Sequence, residues 1–181
     1  MTGSDQAKNP VALEDLSLEE FLAHAHAIET EAWERYEDLA DQMAVHNNPK
    51  VADLFRRLGD FERRHAQKIE ASMQTLDIPR IAPWDFNWTG TESPEAIDFT
   101  EAHYRMTPYH ALRLALVSEQ RAYAFFSKLA QSATEEAVRK LAGEYAREEL
   151  RHVQMVGELL AQQPEPAKDW ADDMDPAMIV E

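Results

Sequence analysis

Residues 62–65 read Glu-Arg-Arg-His and residues 149–152 read Glu-Leu-Arg-His, so the chain contains the same Glu-x-x-His spacing twice. In an α-helix this spacing places the glutamate and the histidine on one face, about one turn apart. Both stretches continue a three-and-four spacing of apolar residues, the pattern of a helix that turns one face to a protein core. The two stretches therefore predict two helices that each direct a glutamate and a histidine toward the core.

A lone glutamate stands on the helix that precedes each of these stretches. Residues 29–36 read Glu-x-x-Ala-x-x-x-Tyr, and residues 119–126 read Glu-x-x-Ala-x-x-x-Phe. Both glutamates again occupy core positions of the three-and-four spacing. The chain is thus a weak internal repeat, which indicates a duplicated helical hairpin.

The composition is that of a globular protein with an acidic surface. Hydrophobic residues make up 44% of the 181 residues and charged residues 29%, as in ordinary folded domains. The net charge of −16 argues against binding to nucleic acid or to an anionic membrane. The absence of cysteine excludes disulfides and thiolate metal ligands. With no signal peptide and no apolar run of about 18 residues, we expect a cytoplasmic protein.

Helix start signals give the order of the elements. Ser17-Leu-Glu-Glu20 is a capping box, and Asn48-Pro49 supplies an N-cap and a first-turn proline, as does Thr107-Pro108. We predict an all-α protein, an antiparallel four-helix bundle with a long crossover between helices 2 and 3. The predicted ranges are an N-terminal arm (1–16), a bundle (17–163) with helices at about 17–46, 49–75, 108–132 and 134–163, a crossover (76–106) and an acidic C-terminal tail (164–181).

The crossover is rich in proline and irregular, with one short helix predicted to begin at Ser93-Pro94. Trp84 and Trp88 are interpreted as anchors that pack it against the bundle, with a role at an oligomer interface as the alternative. The histidines off the Glu-x-x-His pattern are expected at the surface or at helix caps. They are His24, His26, His46, His103 and His110.

Polar side chains fall on six positions that the helical spacing assigns to the core: Glu29, Glu62, His65, Glu119, Glu149 and His152. At about 1.5 Å per residue, all four glutamates lie roughly 20–25 Å from the turn of their own hairpin, at one height in the bundle. Each buried ion costs several kcal/mol, whereas a domain has a net stability of only about 5–15 kcal/mol. Two divalent cations would neutralise the four carboxylates and take the imidazoles as neutral ligands.

This donor set, in which oxygen predominates, favours two iron ions, with manganese or zinc as alternatives. Four glutamates and two histidines from four helices are also the ligands of ferritin-like di-iron proteins. The alternative is a purely ionic or vestigial network without metal.

Tyr36 lies seven residues after Glu29 on the same helix face. It is a candidate hydrogen-bond donor or redox-active neighbour of the metal site, and the alternative is a core tyrosine whose hydroxyl is satisfied elsewhere. Tyr145, one turn before Glu149, is a weaker candidate for the same role.

At these residues the chain resembles the rubrerythrin-like branch of the ferritin-like superfamily, over residues of about 20–162. The resemblance rests on residues 27–36 (Ala-Ile-Glu-x-x-Ala-x-x-x-Tyr), on Glu-x-x-Ala at 119–122 and on the two Glu-x-x-His motifs. It implies a ferritin-like fold and a non-haem di-iron centre held by the six polar residues, with Glu62 and Glu149 as the bridging carboxylates. It further implies that the centre reacts with peroxide or dioxygen and cycles between ferrous and ferric iron.

The chain departs from the rubrerythrin pattern at two points. Rubrerythrins carry a rubredoxin domain with four cysteines, and this sequence has none, so electrons would come from a separate donor protein. Rubrerythrins also place a further glutamate three residues after the third-helix ligand, where this chain has Ala122. The remaining ligand set looks more like the symmetric site of bacterioferritin.

The sequence therefore predicts a di-iron oxidoreductase that acts on peroxide or dioxygen, assembled as a homodimer. One alternative is a ferroxidase or iron-storage protein, in which iron is itself the substrate. The other is a non-enzymatic helical interaction protein with a structural zinc or a vestigial site.

Overall fold

The computed structural model describes residues 12–171, except for the side chain of Phe99. Within this range the protein consists of long helices and connecting segments, without a strand. The helices are α1 (Leu18–Val45), α2 (Pro49–Met73), α3 (Pro108–Ser132) and α4 (Glu136–Ala161). α1 packs along α2 and α3 packs along α4, and the short connection within each pair makes it antiparallel. This arrangement confirms the predicted all-α four-helix bundle.

Across the described part of the chain, no helix combines the length and the apolar character that spanning a membrane requires.

The start of α1 is held by the predicted capping box. The Glu20 amide donates to Ser17 Oγ at 3.2 Å, and the Ser17 amide donates to Glu20 Oε2 at 2.9 Å. At the start of α2, Pro49 occupies the first turn as predicted, but the Asn48 side chain does not cap the helix. Its amide instead donates to the Met106 carbonyl at 2.7 Å, and so ties the α1–α2 turn to the end of the crossover.

The core consists of two apolar clusters along the bundle axis. The first includes Phe21, Phe125 and Phe126 near one end. The second includes Leu39 and Phe55 toward the other end. Residues Glu29 and Glu119 fall in sequence between the α1 and α3 residues of the two clusters, so the polar layer lies between two water-excluding regions.

The crossover between α2 and α3 contains two short 3-10 helices, Pro83–Asp85 and Phe99–Glu101. The helix predicted to begin at Ser93-Pro94 is absent. A single turn forms there instead, in which the Ala96 amide donates to the Ser93 carbonyl at 3.1 Å. Residues 93–97 are buried against the bundle. The Ser-Pro start signal is followed by one turn, then by residues 96–98 without regular structure and by the 3-10 helix Phe99–Glu101.

His24 anchors the middle of the crossover. It is 2% exposed, so the expectation of a surface or capping histidine is wrong. Its Nδ1 contacts the Glu20 carbonyl at 2.7 Å, and its Nε2 accepts from the Asn87 amide at 3.2 Å. Its ring meets Phe86 and Trp88 edge to face, with centroids 5.0 and 5.3 Å away.

The two crossover tryptophans behave differently. Trp88 packs edge to face on Phe125 of α3 at 6.0 Å, which confirms that it is an anchor. Trp84 is 83% exposed, so the same interpretation is wrong for Trp84. Nothing in its local sequence separates it from Trp88, since both lie in the same proline-rich segment.

The chain segments outside the bundle are partly described. Leu13 and Leu16 of the predicted N-terminal arm are buried in the first apolar cluster, and residues 1–11 lie outside the described residues. In the predicted tail, Trp170 packs on His110 with ring centroids 3.6 Å apart, and residues 172–181 again lie outside the described range.

Candidate metal centre

Four buried glutamates meet between the helices, one from each helix. Glu29, Glu62, Glu119 and Glu149 are each only 2% or 3% exposed. The helical spacing of three and four places them on the inner faces, and the hairpin geometry sets them at one height. The structure thus brings together all four carboxylates that the sequence pattern selected.

The two histidines complete two equivalent halves of the cluster, each made of two glutamates and one histidine. His65 Nδ1 lies 3.5 Å from Glu29 Oε2 and 3.6 Å from Glu62 Oε2. His152 Nδ1 lies 3.4 Å from Glu119 Oε2 and 3.1 Å from Glu149 Oε2. The side chains of His65 and His152 remain 22% and 16% exposed. The imidazoles are therefore the part of this cluster that solvent or a small molecule can reach.

Glu62 and Glu149 connect the two halves. Glu62 has a carboxylate oxygen within 4.8 Å of a ring nitrogen of His65 and of His152. Glu149 is grouped at the same distance with Glu29 and His65, and also with Glu119 and His152. Each of these two glutamates thus reaches both imidazoles, as a bridging position requires.

Burial dominates the electrostatics of the carboxylates. Desolvation raises the pKa of Glu29 well above its usual value, and the nearby Glu149 and Glu62 carboxylates raise it further against the opposing effect of His65. The pKa values of Glu119 and Glu149 are raised for the same first reason. The cluster therefore disfavours negative charge unless positive charge is brought in.

The histidines supply part of that positive charge. Burial by itself would lower the pKa of His65, but the Glu29 and Glu62 carboxylates raise it to about 10. Glu119 and Glu149 likewise raise the pKa of His152 to about 11, against the effect of burial. Two imidazolium ions do not balance the negative charge of four carboxylates, so the protein's own groups leave part of that charge without compensation.

The donor set fits a pair of metal ions. Glu29 Oε2, Glu62 Oε2 and Glu119 Oε2 are buried and accept no hydrogen bond within the described residues, and their contacts with the two histidines are ion-pair contacts of 3.4–3.6 Å. Buried carboxylate oxygens without hydrogen bonds are costly, and a cation is the usual compensation. Oxygen donors with two imidazoles suit iron or manganese and also accept zinc.

A fifth buried carboxylate, which the sequence analysis missed, reaches the same cluster. Glu95 is 2% exposed, and an oxygen of its side chain lies within 4.8 Å of oxygens of Glu29 and Glu62. It comes from the crossover, where no helical period indicates which side chains face inward. The only signal was a charged residue next to the apolar pair Ala96-Ile97, which is too common to select a ligand.

Tyr36 lies at the edge of the cluster and is 1% exposed. Burial raises its pKa well above the usual value, and the charges of Glu119 and Glu62 raise it further. Its ring also packs on Phe55 with centroids 6.0 Å apart. The hydroxyl is thus within electrostatic reach of the carboxylates, and its chemical role stays a prediction.

The comparisons with known proteins agree with this geometry. The rubrerythrin family model matches residues 20–160, a range that covers nearly the whole length of the four helices and includes all five carboxylates. The chain belongs to the rubrerythrin family. Members of this family typically bind a di-iron centre, and the six converging side chains of this rubrerythrin-family chain are of the matching type.

A solved structure is similar over most of this rubrerythrin-family chain. It is the crystal structure of an uncharacterised conserved protein from Magnetospirillum magnetotacticum MS-1, with 36% sequence identity and a TM-score of 0.66. The match covers 84% of this chain and 99% of the other. No curated protein matches the chain.

Proposed function

We propose that the protein is a non-haem di-iron oxidoreductase whose ferrous pair reacts with peroxide or dioxygen. The observation that supports it best is the meeting of four buried glutamates, one per helix, around only two histidines, with no hydrogen bond to Oε2 of Glu29, Glu62 or Glu119 within the described residues. A structural role alone does not account for so many desolvated carboxylates, because each destabilises the fold by several kcal/mol.

The residues divide into two sets around the proposed pair. Glu29 and His65 would serve one ion, and Glu119 and His152 the other. Glu62 and Glu149 would bridge, since each reaches both imidazoles. A pair of iron ions held by these residues would supply two electrons to an oxidant at one site.

The protein's own residues control access and protonation around the pair. The two apolar clusters exclude water from above and below, whereas His65 and His152 are partly exposed, so peroxide would approach the pair on their side. Tyr36 would donate a hydrogen bond to a charged group at the site. Because this chain contains no cysteine, we propose that a separate donor protein returns the electrons.

The test is the metal content of protein purified without added metal, followed by peroxide consumption of the reduced protein. We expect about two irons per chain, and loss of at least one on Glu62→Ala or Glu149→Ala. Glu70→Ala and Glu158→Ala, at exposed positions of the same two helices, are the matched controls and should retain both irons.

Three results would overturn the proposal. Many irons per chain would make iron the substrate, as in a ferroxidase or storage protein. Stoichiometric zinc with no peroxide consumption would indicate a structural site. Protein that takes up no iron when it is offered would indicate a vestigial network.

A further inference from the structure

We propose that Glu95, which the crossover places beside Glu29 and Glu62, is a fifth carboxylate ligand of the metal pair, on the ion that Glu29 and His65 serve. This inference rests on the proposed di-iron site, and it makes that site asymmetric. The six residues selected by helical spacing form two equivalent halves, and Glu95 lies next to only one of them.

The burial of Glu95 has no explanation within the polypeptide. The residue is 2% exposed, and neither Oε1 nor Oε2 has a hydrogen-bond partner among the described residues. The groups whose charges act most strongly on it are four other carboxylates, those of Glu29, Glu62, Glu149 and Glu119. A carboxylate surrounded by carboxylates is destabilising unless a cation lies among them.

The backbone around Glu95 is fixed by α3. Ser118 Oγ donates to the Glu95 carbonyl at 2.7 Å, and Arg121 Nη2 donates to the Ala96 carbonyl at 2.8 Å. Ser118 is itself buried and immediately precedes Glu119. The helix that carries one proposed ligand therefore also holds the crossover turn that carries Glu95, so the side chain is positioned before any ion binds.

The Glu95 carboxylate lies among other carboxylates although a cationic side chain, that of Arg121, is nearby. The Arg121 guanidinium, on α3, donates to the carbonyl of Ala96, the residue that follows Glu95. The Glu95 carboxylate instead lies with the oxygens of Glu29 and Glu62, all within 4.8 Å of one another. Two oxygens on one ion at the usual metal–oxygen distances of about 2.0–2.2 Å lie at most about 4.4 Å apart, so a small inward movement of these side chains would bring all three oxygens onto one ion.

A fifth carboxylate also changes the charge balance of the site. Four carboxylates cancel two divalent ions and leave an excess of two positive charges on two trivalent ions. Five carboxylates leave one negative charge in the first state and one positive charge in the second. Glu95 therefore stabilises the oxidised pair relative to the reduced pair, and its removal should raise the reduction potential.

The experiment compares Glu95→Gln with wild type in the full-length protein, with Glu92→Gln as the matched control. Gln keeps the shape of the side chain and removes its charge, and Glu92 is an exposed carboxylate in the same segment. Apo protein is titrated with Co(II) against a chelator, and the iron-loaded protein is titrated electrochemically. We expect two tight Co(II) sites in wild type and Glu92→Gln. In Glu95→Gln, one site should weaken at least tenfold, its absorption spectrum should change and the reduction potential should rise.

The outcomes separate this inference from the proposed function. If wild type binds two ions and Glu95→Gln binds both with unchanged affinity, spectrum and potential, Glu95 is not a ligand and the di-iron proposal stands. If wild type binds no ions, both proposals fail. If Glu95→Gln does not fold, Glu95→Asp replaces it. This variant keeps the charge and withdraws the oxygens by one methylene, so unchanged affinity would overturn the inference and weakening of one site would support it.

Discussion

The imidazole rings of His65 and His152 stack face to face, with centroids 4.6 Å apart and planes 9° apart. Each ring belongs to a different helical hairpin, and each faces the carboxylates of its own half. Those carboxylates raise the two pKa values to about 10 and about 11, so both rings carry a proton at neutral pH when no metal is bound. Two stacked cations are tolerated there because the surrounding carboxylates are negative. A bound metal pair would neutralise those carboxylates in place of the two imidazolium rings.

The first prediction is that the stability of the metal-free protein falls as the pH rises from about 7 to 10. The folded protein holds protons on His65 and His152 above the pH at which the unfolded chain releases them, near 6.5. The raised pKa values of Glu29, Glu119 and Glu149 act in the same direction. The folded state then binds more protons than the unfolded state, and the free energy of unfolding decreases with rising pH.

Thermal unfolding of apo protein in this pH range measures the effect, and the metal-loaded protein is the control. Bound ions require deprotonated ligands, so the loaded protein should show a much flatter profile. Metal affinity should rise over the same interval. An apo protein whose Tm is constant or rises between pH 7 and 10 would contradict the assigned protonation of the two histidines.

The second prediction concerns Tyr36→Phe. The substitution removes a hydroxyl that lies within the field of Glu119 and Glu62 and leaves the ring packed on Phe55. Iron content should stay at two per chain. A hydrogen bond to a charged group is worth about 1.5–3 kcal/mol, so the rate of oxidation by peroxide should fall by about tenfold or more.

Tyr123→Phe is the matched control, since Tyr123 is an exposed tyrosine of α3. We expect this variant to retain the wild-type rate. Stopped-flow mixing of reduced protein with peroxide distinguishes the two variants. Equal rates for Tyr36→Phe and wild type would assign Tyr36 to the core alone.

Helical periodicity accounts for what the sequence could and could not predict. Glu29 and Glu149 were found because each falls at a core position within a long apolar pattern, where a charged residue is conspicuous. Glu95 and His24 were missed for two different reasons. Glu95 lies in an irregular segment without a period, and His24 is buried by the crossover rather than by another helix. Contacts made by the crossover depend on its path, which no local pattern of residues specifies.

The third prediction is that His24→Ala loosens the crossover. The Asn87 amide donates to Nε2, so Nδ1 carries the proton that is donated to the Glu20 carbonyl. Loss of these two hydrogen bonds and of the contacts with Phe86 and Trp88 should destabilise the protein by about 2–4 kcal/mol. Hydrogen exchange at the Asn87 amide should accelerate, whereas His26→Ala, two residues away and half-buried, should leave it unchanged.

His24 also makes a specific contribution to pH dependence. Burial lowers the pKa of His24, because a charged ring is disfavoured away from water. The hydrogen bond to the Glu20 backbone raises this pKa, but by less. The stabilisation is present above the unfolded pKa of about 6.5 and is lost as the pH falls through the lower folded value. His24→Ala should therefore lose less stability than wild type between about pH 7 and 5. An identical slope in both proteins would show that the ring is not neutral in the fold.

The last prediction compares two glycines within helices, Gly59 of α2 and Gly157 of α4. A Cβ at Gly59 would lie 3.2 Å from Tyr36 Cβ, whereas a Cβ at Gly157 would meet nothing within 4 Å. Replacement of glycine by alanine in a helix stabilises it by about 1 kcal/mol, so Gly157→Ala should raise the Tm by about 2–4 °C. At Gly59 the two Cβ atoms are fixed to their backbones and cannot rotate apart, so α1 and α2 must separate. Overpacking of this kind costs about 1–3 kcal/mol, which exceeds the gain in helix propensity, and the Tm of Gly59→Ala should fall.

The separation occurs one turn before Glu62 and directly beside Tyr36, so Gly59→Ala should also weaken metal binding while Gly157→Ala does not. Thermal unfolding and Co(II) titration of both variants test this, and a Gly59→Ala protein as stable as Gly157→Ala would mean that the helix contact at Tyr36 is loose enough to absorb a methyl group.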